Sequence, residues 1–105
     1  KQYIKNKGPP LAIYNISGGN LGIAKAIKEF NPQDDLIFVG HELNKNSKNL
    51  LQSNLMDYVI GHDVGYEVEQ SFNIINNFYY NKNISNVISE VKIYNKYNCL
   101  NKKVY

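Results

Sequence analysis

Apolar and polar positions fall in blocks along this chain, and one order of blocks occurs three times. Residues 11–15 form a short apolar run, followed by the polar, glycine-rich stretch 17–22 and then a helical pattern. Residues 36–40 lead in the same way into His41 and Glu42, and residues 57–61 into His62 and Asp63. Strand, loop and helix in repeated order predict a parallel sheet, because parallel neighbours need a crossover between them. The expected fold class is therefore α/β, a parallel β-sheet flanked by helices. Ligands of such sheets sit beyond the carboxyl ends of the strands, so the three polar loops should gather along one edge.

Spacing predicts the elements in more detail. Ile23, Ile27 and Phe30 recur at i, i+4 and i+7, a core-facing stripe on a helix over 21–30 with Asn20 as its N-cap. A proline-containing turn over 31–35 ends it. The unbroken apolar run 36–39 reads as a strand buried on both faces. A second helix over 46–53 turns Leu50 and Leu51 inward, and 52–56 return the chain to a strand over 58–60. The longest helix, 64–80, is capped by Asp63 and carries Val68, Phe72, Ile75 and Tyr79 as an inward stripe. Among Phe72, Phe78, Tyr79 and Tyr80, two point away from that stripe, which leaves them to a second protein surface. The Val-, Ile- and Tyr-rich stretch 87–98 reads as a last strand. Residues 1–8 resemble the tail of a helix ended by Gly8, Pro9 and Pro10, and the absence of an initiator methionine suggests a chain cut from something longer.

Composition narrows the function. A chain of 105 residues bounds the molecule to one domain, and 43% apolar residues with nine tyrosines argue against disorder. There is no arginine, the net charge is +3 and the lysines are scattered. Direct nucleic-acid binding by this segment is therefore disfavoured. Cys99, the single cysteine, excludes an intrachain disulfide and reads as a small apolar residue, partly buried. No run approaches the ~20 apolar residues that span a bilayer, and residues 1–8 lack the apolar core of a signal peptide.

The loops carry the chemistry. In residues 17–22, Gly19 and Gly22 fit a dinucleotide fingerprint, but Ser17 stands where its first glycine belongs. Glu42 could serve as the ribose-binding acid of such a site, which keeps a nucleotide-using α/β enzyme as one reading. A strand-to-helix turn that needs glycine for its conformation is the simpler one. His41–Glu42 and His62–Asp63 admit a metal site, an acid–base pair, or ligand hydrogen bonding and helix capping. Adjacent side chains diverge rather than converge, which favours the last. No serine or cysteine nucleophile with a paired base is evident, so the sequence makes no case for an enzyme, a cofactor or a metal.

From residue 11 to 98, the order of loops and helices resembles the sugar-binding module of lactose/galactose-repressor (LacI)-type regulators and bacterial periplasmic sugar-binding proteins. The residues that carry the resemblance are 18–27 (GGNLGIAKAI), 38–43 (FVGHEL), Leu50–Leu51, 56–63 (MDYVIGHD) and 96–98 (KYN). Regulator-like members match best. The resemblance implies a two-lobed, periplasmic-binding-protein-like fold with a small ligand, a carbohydrate, between the lobes. This chain would form part of the C-terminal lobe, with helix 64–80 crossing to an N-terminal lobe outside the chain. It implies ligand contacts from Ser17, Gly18, Asn20, Glu42, His62 and Asp63. It further implies a cytoplasmic homodimer that reaches DNA only through a separate N-terminal domain and has no membrane association. Two positions depart from the pattern, since the family usually has Asp at Glu42 and often Gln at His62. The solute-binding component of a sugar importer is the alternative within the same fold.

Overall fold

The computed structural model describes residues 2–8, 10–30 and 36–100, with the side chains of Tyr3 and Ile4 left aside. Its elements are α1 (Gln2–Lys7), β1 (Ala12–Tyr14), α2 (Asn20–Phe30), β2 (Ile37–His41), α3 (Lys45–Gln52), β3 (Tyr58–His62), α4 (Val64–Tyr79) and β4 (Val91–Tyr94). The sheet order is β1-β2-β3-β4. β1 runs parallel to β2, with Ile13 opposite Phe38, and β2 runs parallel to β3, with Gly40 opposite Val59. The α/β parallel-sheet fold expected from the block pattern is the one observed. Pro9 and the turn expected over 31–35 lie outside the described residues.

The chain divides into two compact units, His62–Lys92 and the remainder. In the larger unit, the core gathers Ala24 and Ile27 of α2, Leu50 and Leu51 of α3, Phe38 of β2 and Val59 of β3, with Tyr94 and Cys99. Cys99 is fully buried, beyond the partial burial expected. α3 forms where apolar residues meet a strong start signal. Asn44 accepts a hydrogen bond from the Ser47 amide while the Ser47 hydroxyl accepts one from the Asn44 amide. This reciprocal cap satisfies two donors that would otherwise be orphaned.

Two glycines let other groups lie close on the core face of the sheet. A Cβ at Gly40 would meet the Met56 methyl at 2.9 Å and the Asn20 amide at 3.0 Å, and one at Gly61 would meet the Tyr94 ring at 2.8 Å. The side chain at the start of α2 thus lies directly on the carboxyl end of β2.

Four expectations are corrected. Asn20 is inside α2 rather than its cap, because Ile23 closes the first turn on the Gly19 carbonyl at 3.0 Å and Gly19 supplies the positive φ of 96°. The 36–39 run is buried on one face only. Leu36 and Phe38 are 7% and 1% exposed, whereas Ile37, pointing the other way, is 50% exposed, as the helices α2 and α3 share one face. The stripe Val68, Phe72, Ile75 and Tyr79 is exposed, and no residue of α4 is buried. Finally, the last strand is confined to Val91–Tyr94. Residues 87–90 carry no regular structure, and a turn after Asn95 is held by its side chain and that of Asn98.

Candidate functional site

The carboxyl ends of β1 and β2 open into a cleft of about 450 Å³, within the range of small-ligand sites. Its wall includes Ile16, Ser17, Gly18, Gly19, Asn20 and Leu21 from one side and His41, Glu42, Asn44 and Asn46 from the other.

The first side is organised by Asn15. Its amide nitrogen donates to the Ser17 carbonyl at 2.8 Å, the Gly18 carbonyl at 3.1 Å and the Asn20 side-chain oxygen at 2.6 Å. Its own amide N–H donates to the Val39 carbonyl at 2.9 Å, which fastens the staple to β2. An asparagine side chain closing its own loop is the usual Asx device. Here it also fixes the Asn20 amide, already resting over Gly40. Asn20 and Leu21, in the first turn of α2, line the cleft.

The second side follows β2. His41 shares a 2.5 Å hydrogen bond with the Tyr14 hydroxyl through Nε2, their rings 5.3 Å apart. With that nitrogen engaged, Nδ1 is the ring atom left for another partner. Glu42 follows with φ +66°, its amide donating to the Ile60 carbonyl at 2.9 Å and its carbonyl accepting the Ser47 hydroxyl at 2.7 Å. The wall therefore offers a carboxylate, carboxamides, a hydroxyl and an imidazole beside the apolar Ile16 and Leu21. Such a set can accept and donate hydrogen bonds to a small polar ligand.

Of the six residues implied by the resemblance, Ser17, Gly18, Asn20 and Glu42 line this one cleft. His62 and Asp63 belong to the smaller unit. There His62 Nδ1 lies 2.6 Å from Glu67 Oε2, and Ser89 donates its hydroxyl to the other Glu67 oxygen. These bonds, first that of Ser89 and then that of His62, hold the Glu67 carboxyl below its ordinary pKa. Asp63 accepts from the Tyr66 amide at 3.0 Å, capping α4 as expected. Among the described residues, no group of three or more His, Cys, Asp or Glu side chains is arranged for a metal ion. No described helix is long and apolar enough to cross a membrane.

Sequence reasoning passed over Asn15, Tyr14, Asn44, Asn46 and Ser47. An asparagine directly before a Ser-Gly-Gly loop, and Asn44 three residues ahead of Ser47, were available signals. Nothing local links Tyr14 to His41, which are 27 positions apart.

No protein-family model matches the chain, and no curated protein matches it. Solved structures do. GanP, a glucose-galactose binding protein from Geobacillus stearothermophilus, superposes with a TM-score of 0.84 at 16% identity, over 92% of this chain and 35% of GanP. XylFII in its complex with LytSN gives 0.76 at 18% identity, over 91% and 34%. The XylFII molecule gives 0.74 at 20% identity, over 90% and 34%. The chain thus has a periplasmic-binding-protein-like α/β fold and spans about a third of the length of these proteins.

Proposed function

We propose that this chain is part of a two-lobed carbohydrate-binding protein, and that the cleft at the ends of β1 and β2 contributes one wall of its sugar site. The observation that carries the reading is the convergence of Ser17, Asn20, His41 and Glu42 on one cleft, in a fold that superposes on a glucose-galactose binding protein. Sugar hydroxyls both donate and accept. A carboxylate can take two of them, and a carboxamide can serve either role. The resemblance adds His62 and Asp63, which belong to the smaller unit, as further candidates for ligand contact. α4 crosses to a second lobe, which accounts for a long helix with every apolar side chain in contact with solvent. Lobe closure around the ligand then turns binding into a shift between open and closed populations.

Of the two forms this function takes, the description of GanP as a binding protein supports the solute-binding component of an importer. The order of residues 38–43 and 56–63 supports the second reading, the effector domain of a LacI-type regulator. That reading carries a cytoplasmic location, a homodimer and DNA contact through a separate domain.

Titration calorimetry on the full-length protein with D-glucose, D-galactose and other aldoses, and with NAD and ATP, tests the proposal. Heat from a sugar supports it; binding of a nucleotide with no sugar response overturns it in favour of a nucleotide-using protein. Retention of operator-containing DNA fragments that changes with the bound sugar would select the regulator. Glu42→Ala and His62→Ala should each weaken sugar binding by about 1.5–3 kcal/mol, the value of a hydrogen bond to a charged group. Unchanged affinity in both would remove these side chains from the site.

A further inference from the structure

Glu42 is the only non-glycine residue of the cleft wall whose backbone is left-handed. Among the described residues, two other non-glycine residues share that conformation, and both are asparagines just beyond helix ends, Asn54 and Asn81. Asparagine visits this region readily, whereas glutamate has no such ease. A residue persists there only when its surroundings over-determine it. At Glu42 the amide is tied to β3 through Ile60 and the carbonyl is tied to α3 through the Ser47 hydroxyl.

Ser47 is the notable partner. It is fully buried, and its hydroxyl accepts from the Asn44 amide at 2.9 Å while donating to the Glu42 carbonyl at 2.7 Å. A reciprocal cap needs the bonds between Asn44 and Ser47; it does not need the one to Glu42. That extra bond spans five residues and fixes the strained position from inside the core.

We propose that Ser47 is a positioning residue of the sugar site: by holding the Glu42 backbone left-handed, it keeps the carboxylate on the cleft wall, where it accepts ligand hydroxyls. The inference rests on the carbohydrate reading above. Stability is given up at position 42 for ligand grip, and Ser47 enforces the exchange without touching the ligand.

The test is a double-mutant cycle on the full-length protein, reading affinity for D-glucose and D-galactose by calorimetry and stability by thermal unfolding. Ser47→Ala should bind about tenfold more weakly than the unmodified protein, equivalent to about 1.4 kcal/mol. Glu42→Gly should also bind more weakly yet unfold at a higher temperature, because glycine relieves the backbone. In the Glu42→Gly background, Ser47→Ala should still lower the unfolding temperature but leave the residual affinity unchanged. A Ser47→Ala variant that binds normally, or that loses the same factor in both backgrounds, overturns the proposal, as does a Glu42→Gly variant that unfolds earlier. Should Ser47→Ala fail to fold, Ser47→Cys keeps the volume with a weaker donor and enters the same cycle. An unmodified protein that binds no sugar overturns the carbohydrate reading, and this inference with it. A binding protein indifferent to Ser47 removes the inference alone.

Discussion

α3 and α4 both follow a parallel strand, and both begin at a side-chain cap, yet they end in opposite states. α3 is eight residues long and mostly polar, but it buries Ser47, Leu50 and Leu51. α4 is twice that length and richer in apolar residues, and it buries none; Phe72, Phe78 and Tyr79 are all more than two-thirds exposed. Local pattern makes a helix and marks its adhesive side. Burial depends on whether another surface meets that side, which the helix itself does not encode. The contrast also separates roles, since α3 holds the cleft through Ser47 while α4 displays an apolar stripe fit for a partner surface.

Core truncation should open the widest gap between the two helices. Leu51→Ala is expected to cost about 2–5 kcal/mol in denaturant unfolding, against a change within about 0.5 kcal/mol for Phe72→Ser in this chain. Equal losses in the 105-residue chain would break the comparison. A large loss for Phe72→Ser only in the full-length protein would sharpen it, by showing that a second lobe covers α4. Gly40→Ala comes next. Its methyl would press on the Met56 methyl and on the Asn20 amide held by Asn15, so about 1–3 kcal/mol of stability should go.

Cap removal is smaller, about 0.5–2 kcal/mol for Asn44→Ala, with amide exchange in α3 accelerating while α4 is unaffected. The smallest effect is on pH. Glu67 is held below its ordinary value, so its tie to Ser89 and His62 is complete above pH 4.5 and is lost as the pH falls through the depressed pKa. In an NMR titration, His62 and Ser89 should shift together in that acid range while Leu51 stays unchanged. Glu67→Gln should abolish the step.

The strand and helix order was readable because each element carries its own period, and the Asp63 cap was readable because a cap is a local arrangement. Other features needed three dimensions. Asn20 looked like a cap until Gly19, with its positive φ, took the role. Ile37 looked buried because an apolar run does not say how many layers cover it, and the α4 stripe looked like core for the same reason. Within the site, the gathering of the loops after β1 and β2 followed from strand ends, while Ser17, Gly18, Asn20 and Glu42 were named only through the family resemblance. The pairing of Tyr14 with His41, the strain at Glu42 and the reach of Ser47 did not, since each depends on a contact or dihedral that no periodicity records.

The amide of Asn15 donates to three oxygens, two carbonyls and a neighbouring carboxamide. Exchange its nitrogen for oxygen, as hydrolysis of the side chain does, and every one of those attractions becomes a repulsion between lone pairs. The outline of the residue would hardly change, but the glycine-rich loop would lose its fastening and be pushed from its seat. For this molecule, chemical ageing at a single nitrogen would blunt the cleft while leaving the core beneath it whole.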